Sequence, residues 1–319
     1  MEIREIGGEF ALIRRVTQGR PADRQVIKGI GDDCAVLAYS NSEYLLVTTD
    51  MMVEDDHFTL RWYSPVQIGR KLMEVNVSDI ISMAGTPTYA FLSMCLPSGA
   101  TVEFMDAFYK GLYTSAGIHG VQLLGGDTTH GKHFVFNLTL LGLVQKQAVR
   151  LRAGAKPGDI ICVTGTLGGS TAGLKLLQKG LSGYTDDHLL PTSRKAAEAE
   201  LIGRFAHAMI DVSDGLASEV THICNESNCG ACIQYDTIPL SAHTIRSADL
   251  LGEDPHDFAL YGGEDFELVF TMRKADLQEL RKHFTDFSVV GEILPRKRGV
   301  CIRRDGQTRP VKGGYNHFN

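Results

Sequence analysis

The chain has 319 residues, 43% of them apolar and 22% charged, with a formal net charge of −6. That is length for two domains of ordinary size, and the acidic balance argues against a general basic surface for nucleic acid. No apolar run approaches the ~20 residues that cross a bilayer, and the start, MEIREIGGEF, carries acids where a signal peptide has a basic and then an apolar segment; the expected compartment is the cytoplasm, the expected partners small molecules or proteins rather than nucleic acid or membrane.

Along the chain, GIGDDCAV supplies Asp32 and Asp33 in a turn, and EYLLVTTD (43–50) reads as a strand from its β-branched run. Beyond it the stretch VTTDMMVEDDHF places Asp50, Glu54, Asp55 and Asp56 within seven residues. Ser64-Pro65-Val66-Gln67 has the form of a capping box with proline at the first helical position, opening a helix that Gly85 and Pro87 close. On that helix Asn76 and Asp79 share a face and interrupt the apolar surface of Leu72, Val75, Ile80 and Met83. A strand (89–96), a helix ending at Gly117, a strand running into a glycine turn at GGD (125–127) and another strand (134–144) follow.

The segment LRAGAKPGD, around residue 150, looks like a domain boundary, dividing the chain into 1–150 and 151–319. After it come a strand, the glycine-rich GTLGGSTAG (165–173) and a helix. That loop lacks the Gly-Lys-Ser/Thr ending of a P-loop, which leaves it a weak phosphate-loop candidate. Next are MIDVSDG, a helix bearing His222 and Cys224, a short strand near ACIQYD, the turn YGGEDFELVF, a final helix and a last strand pair. His222, Cys224, Cys229 and Cys232 read as a histidine and reduced structural thiols, with a zinc site as the alternative.

Carboxylates recur in glycine- or serine-rich turns beside apolar strands: GDD, TTD, GGD, DVSD and GGED. One such turn means little, because Gly-Asp turns cap helices and close hairpins widely. If Asp33, Asp50, Asp79, Asp127, Asp211 and Asp214 converge, their repulsion demands cations between them. Oxygen donors select magnesium, calcium or manganese over zinc, and magnesium with a phosphorylated substrate is the leading case.

GIGDDCAV, VTTDMMVEDDHF, VNVSDIISMAGTP, LLGGDTT, GAKPGD, VTGTLGGSTAGL, IDVSDGL and YGGEDFEL, in this order over nearly the whole chain, resemble the thiamine-monophosphate kinases of the aminoimidazole ribonucleotide synthetase superfamily. The resemblance implies an α+β, two-domain fold: an N-terminal α/β domain whose sheet pairs with a second subunit in a homodimer, and a C-terminal mixed α/β domain. It also implies ATP-dependent phosphorylation of thiamine monophosphate with several Mg2+ ions. Matched motif by motif, the magnesium ligands are Asp33, Thr48, Thr49, Asp50, Asp79, Asp127, Asp211 and Asp214, with Asp50, Asp211 and Asp214 as the catalytic acids. ATP falls to Gly126, Asp127, Ser213 and Arg152 (or Arg150, since VRLRAG offers both), and thiamine phosphate to His57, Glu264 and Tyr315 in GGYNHF. Other ATP-using members of the superfamily, such as selenophosphate synthetase, are the alternative; the VxxxxHF element with the GGYNHF tail favours the thiamine enzymes.

Overall fold

The computed structural model describes residues 3–6, 8–17 and 23–311. After helix α1 (Glu9–Thr17) come strands β1 (Val26–Lys28), β2 (Ala35–Ala38) and β3 (Glu43–Val53), helix α2 (Pro65–Ser82), β4 (Thr86–Pro97), α3 (Val102–His119), β5 (Gln122–Gly131) and β6 (Val135–Gln145). The strands form one sheet in the order β1-β2-β3-β6-β4-β5, antiparallel except for the β4–β5 pair. A second sheet is built from β7 (Asp159–Thr164), β8 (Ala206–Asp211), β9 (Gly230–Gln234), β10 (Leu268–Arg273), β11 (Phe287–Leu294), β12 (Val300–Arg304) and β13 (Gln307–Pro310), in the order β13-β12-β9-β11-β7-β10-β8. Helices α4 (Gly169–Lys179), α5 (Asp186–Leu189), α6 (Ala196–Gly203), α7 (Leu216–Ser227), α8 (Ala242–Leu251), α9 (Pro255–Tyr261) and α10 (Leu277–Arg281) complete it. Among the described residues no helix is long and apolar enough to cross a membrane.

The organising element is α2. Its start follows from the sequence: Ser64 accepts from the Gln67 N–H while the Gln67 side chain accepts from the Ser64 N–H, and Pro65 occupies the first turn. The helix is apolar on several faces and is buried accordingly. It touches β3, β4 and β6 on one side and β8 on the other. Leu46, Met52, Phe136, Leu138 and Leu140 of the first sheet, Ile68, Leu72, Val77 and Ile81 of α2, and Met209, Phe270 and Met272 of the second sheet share one continuous core. A second core lies across the second sheet, where Ile161, Val163, Ile210 and Val269 pack with Leu216, Val220 and Ile223 of α7 and with Leu260. Glu74 of α2 ties the halves polarly: it accepts from Ser115 Oγ (2.5 Å), from Ser193 N–H (2.9 Å) and from Ser193 Oγ (2.6 Å), and pairs with His119 Nε2 (3.1 Å).

Three local expectations are corrected. The helix expected to stop at Gly117 continues to His119, because the left-handed cap is Gly120 at φ 72°. GGD is no turn: β5 runs through it to Gly131, and Gly126 is needed because a Cβ there would lie 1.7 Å from the Leu92 carbonyl oxygen. The last strand pair is really three strands, β11 to β13, with β12 running parallel to β9.

Candidate active site

Although α2 is buried between the sheets, it carries Lys71, Glu74, Asn76, Ser78, Asp79 and Ser82. Buried polar groups need partners, and the partners of these residues outline a site with two ends.

At the C-terminal end of α2, three hydroxyls hold three carboxylates. Thr48 of β3 donates to Asp79 Oδ2 (2.5 Å), Ser78 to Asp211 Oδ2 (2.6 Å) and Ser82 to Asp33 Oδ2 (2.5 Å). Asp50 joins from β3: its N–H donates to Asn76 Oδ1 (3.1 Å), and its carboxyl hydrogen-bonds with Asp79. Arg152 donates to Asp33 Oδ1 through Nε (2.9 Å) and Nη2 (2.5 Å), and its N–H donates to Asp32 Oδ1 (3.1 Å). Arg150 is turned away, its Nη1 donating to the carbonyls of Gln147, Ala148 and Val149.

Burial, then the charge of Asp33, pushes the Asp211 carboxyl up to about 8. Burial likewise takes Asp50 to about 6, and burial with the charges of Asp50, Asp211 and Asp33 lifts Asp79 well above the carboxylate range. Acids that hold their protons this way are short of positive charge. Their oxygens suit a hard divalent cation. Among the described residues no three His, Cys, Asp or Glu side chains close into a metal cage. Here the carboxylates are held by hydroxyls and Arg152 instead, an oxygen-donor set that fits magnesium, which binds through a few carboxylates and shares phosphate oxygens. Among the described residues His222, Cys224, Cys229 and Cys232 are not gathered into a metal site either: the free thiols of Cys224 and Cys229 share a hydrogen bond, while Cys232 lies opposite Cys301 on β12.

The DVSD and GGED turns lie side by side. The Glu264 N–H donates to the Ser213 carbonyl (2.9 Å) and the Phe266 N–H to that of Val212 (2.9 Å). Ser213 is exposed, and behind it the Asp214 N–H donates to Glu219 Oε1 (2.8 Å), a buried acid of α7. Asp265 accounts for the glycine-rich loop: its carboxyl group accepts from the N–H groups of Gly168 (2.7 Å) and Ser170 (3.2 Å), so the start of α4 is already occupied by a side chain of its own chain.

At the N-terminal end of α2 the Lys71 ammonium, 1% exposed, reaches Glu264 Oε1 at 2.6 Å and donates to Tyr63 Oη (3.2 Å) and the His57 carbonyl (3.2 Å). Burial works against this charge, but Glu264 and Tyr63 outweigh it and hold the ammonium above its ordinary value. Burial would likewise raise Glu264; Lys71, and then His188 at 3.3 Å from Oε2, bring the carboxyl down to about 2. Burial lowers His188, whose Nδ1 also meets Ser170 Oγ (3.1 Å). Glu264 has φ 63°, a conformation unusual for a residue other than glycine.

One chain therefore gathers Asp33, Thr48, Asp50, Asp79, Asp211 and Arg152 at one end, and His57 and Glu264 at the other. Thr49 and Asp127 are not brought to either end. Strand register puts Asp127 in line with Ser93, Asn137 and Met51, on the exposed face of the sheet opposite Asp50, and Thr49 meets Asn137 and Thr139 on that same face. Gly126 lies beside Asp127 on the exposed edge strand β5. Tyr315 lies outside the described residues. Sequence reasoning missed Lys71, Ser78, Ser82, Tyr63, His188 and Glu219. A signal for three of them was present: Lys71, Ser78 and Ser82 recur at i, i+7 and i+11, a polar line on one side of a helix.

The chain matches the AIR synthase related proteins over both their domains, N-terminal over residues 31–144 and C-terminal over 156–303. It is 36% identical to the thiamine-monophosphate kinase of Buchnera aphidicola (subsp. Acyrthosiphon pisum), covering 98% of this chain and 99% of that one. To the thiamine-monophosphate kinase of Escherichia coli K12 it is 35% identical, with 98% of each covered. The solved structure of AaThiL complexed with AMPPCP and TMP superposes with a TM-score of 0.89 at 33% identity over 99% of both chains. With two sheets flanking one buried helix and full-length similarity at this level, the chain belongs to the thiamine-monophosphate kinase family of the AIR synthase related proteins.

Proposed function

We propose that this chain transfers the γ-phosphoryl group of ATP directly to the phosphate of thiamine monophosphate, giving ADP and thiamine diphosphate. The observation that carries this reading is the bipolar lining of α2. An acidic cluster surrounds Asp79, and a Lys71–Glu264–His57 cluster sits eight residues earlier, about 12 Å along a helix rising 1.5 Å per residue. A span of that length suits an acceptor whose phosphate meets the acids while its ring system meets Glu264. The named kinase relatives and the relative solved with AMPPCP and TMP support the same reading.

The acceptor phosphate has a second pKa near 6 and is mostly ionised at neutral pH, so no strong general base is required. The obstacle is repulsion: two groups of about −2 charge, roughly 5 Å apart in an effective dielectric of about 20, repel by on the order of 13 kcal/mol. Magnesium bound at the acids supplies the charge neutralisation and in-line alignment that phosphoryl transfer needs. On our reading Asp33, Thr48, Asp50, Asp79, Asp211 and Asp214 hold it within one chain, with Asp50, Asp211 and Asp214 nearest the reacting phosphates, and Thr49 and Asp127 serve as ligands from the sheet face that a second subunit covers. Gly126, Asp127, Arg152 and Ser213 contact ATP; His57, Glu264 and Tyr315 hold thiamine monophosphate.

We further propose a cytoplasmic homodimer in which residues 1–150 carry most of the magnesium and ATP contacts and residues 151–319 complete the site. β5 is a long exposed edge, and Met51, Tyr89, Phe91 and Leu124 are exposed hydrophobics on the first sheet. Such edges and patches are ordinarily covered. A second copy covers this one, placing the Thr49 and Asp127 face at a subunit boundary.

The test is an assay of purified protein with ATP, magnesium and thiamine monophosphate, with aminoimidazole precursors and selenide run alongside. Magnesium-dependent thiamine diphosphate is expected with thiamine monophosphate alone. Protein that binds both substrates without turning them over would overturn the kinase reading.

A further inference from the structure

Lys71 is unusual in being a fully buried lysine with every hydrogen committed. Its ammonium has three donors, and three protein acceptors receive them: Glu264 Oε1, Tyr63 Oη and the His57 carbonyl. Nothing is left with which to touch a ligand. The three acceptors belong to separate segments: His57 follows β3, Tyr63 lies in the turn before α2, and Glu264 sits in the turn between α9 and β10. Tyr63 extends the network by donating to the His188 carbonyl (3.0 Å) of α5, whose imidazole stands 3.3 Å from Glu264 Oε2. Lys71 thus joins the first sheet's loops to the second sheet's GGED turn.

Glu264 keeps 31% of its side-chain surface exposed beside that buried cation. A carboxylate paired at 2.6 Å has most of its charge cancelled at longer range, yet its oxygens retain lone pairs for further hydrogen bonds. It is therefore poorly suited to attract a bare cation and well suited to accept from a neutral N–H. Thiamine monophosphate offers both chemistries, a thiazolium cation and an aminopyrimidine.

We infer that Lys71 is the positioning residue of the acceptor subsite: it fixes Glu264 and the His57 loop in one frame and cancels the Glu264 charge, so that the subsite reads the acceptor's aminopyrimidine N–H groups rather than its thiazolium charge. This rests on the kinase reading above and deepens it. It also explains why Glu264 is held in a left-handed backbone conformation, since the turn must deliver the carboxylate to an ammonium that cannot move.

The experiment compares steady-state kinetics of wild type, Lys71→Met, Glu264→Gln and the double variant. Three acceptors are used: thiamine monophosphate, its analogue with an uncharged thiophene in place of the thiazolium, and its 4-oxo pyrimidine analogue. Lys71→Met is expected to raise KM for thiamine monophosphate by about tenfold or more while kcat and the KM for ATP stay within about threefold. In the Glu264→Gln background the same change is expected to add less than about threefold, because Lys71 acts through Glu264. Wild type is expected to accept the thiophene analogue nearly as well as the substrate and to reject the oxo analogue, and Lys71→Met to lose that rejection. The double variant, which leaves no unpaired buried charge, provides the reading if Lys71→Met alone does not fold.

Two results would overturn the inference: effects of Lys71→Met that fall equally on ATP and acceptor and add fully to those of Glu264→Gln, or wild-type enzyme that turns over its substrate but rejects the uncharged thiophene analogue. Wild-type enzyme inert towards thiamine monophosphate would overturn the kinase reading itself, and this inference with it.

Discussion

Between Asp50 and His57 the chain carries Asp50, Glu54, Asp55 and Asp56, and each meets different surroundings. Asp50 faces α2 and bonds with Asp79. Glu54 Oε2 accepts from the Phe134 N–H (3.0 Å), fastening the end of β3 to the start of β6. Asp55 is exposed at φ 64°, where asparagine is at home, and Asp56 is exposed 3.4 Å from His57 Nδ1. Asp50→Asn and Asp211→Asn are therefore expected to lower kcat by at least about a hundredfold, since on the proposed function each removes a ligand for the magnesium that neutralises the phosphates. Asp55→Asn and Asp56→Asn are expected to stay within about twofold of wild type. Equal losses at Asp50, Asp55 and Asp56 in one assay would show that the stretch acts as a unit.

At the level of elements, α2 and α3 cross at a spot where no side chain fits. A Cβ on Gly111 would lie 1.9 Å from the Val66 carbonyl oxygen, whereas one on Gly117, on the exposed side of the same helix, would meet nothing. Gly111→Ala is expected to lower Tm sharply or prevent folding by prising α2 from α3 and unseating both ends of the site. Gly117→Ala is expected to stabilise by about 0.5–1 kcal/mol, the helix propensity gained. Thermal melts of the two variants give opposite signs if the crossing is as close as described. The same pair shows what a sequence can reveal. The start of α2 was legible because a capping box is local chemistry. The end of α3 was misplaced because Gly117 and Gly120 look alike until the backbone shows which is left-handed. GGD reads as a turn for a related reason: Gly126 instead serves the close approach of β5 to its ladder neighbour Leu92 on β4. Asp33, Asp50, Asp79 and Asp211 were legible as a group because their motifs are short and ordered, whereas Asp127 was not, because strand register turns it to the other face of the sheet. Lys71 was not, because a lysine in a helix ordinarily faces water, and only the fold brings Glu264, Tyr63 and the His57 carbonyl around it.

For the molecule as a whole, the acid cluster sets stability against charge. Asp50 and Asp211 have folded-state values of about 6 and about 8 against an ordinary 3.8, so the folded protein binds more protons than the unfolded chain over this range. Stability then falls with rising pH: the contribution of these groups is complete below their ordinary value and is lost progressively as pH climbs through 6 and 8. Glu264, held at about 2, has the opposite sign, but its contribution is lost only in acid; His188 and His222, lowered by burial, also oppose the trend, and only up to about their ordinary 6.5, leaving the fall above it unopposed by them. Asp265, raised to about 7 by burial, adds to the alkaline loss from a place where magnesium is not expected to bind. With magnesium withheld, Tm is expected to drop between pH 5.5 and 8, and added magnesium should restore only the share lost at the acid cluster, with a larger gain at pH 8 than at pH 5.5. Asp211→Asn separates the two shares. An amide carries no charge at either pH, so this variant is expected to be more stable than wild type at pH 8 without magnesium, to gain less from magnesium, and to be inactive. Melts across pH with and without magnesium check all three outcomes, and a wild-type Tm that rises from pH 5.5 to 8 in the absence of metal would contradict the sign. A protein that becomes sturdier when one buried carboxylate is removed keeps that carboxylate for something other than stability, and the fold tolerates the four because α2 supplies a hydroxyl to two of them and Asn76 secures the backbone of a third.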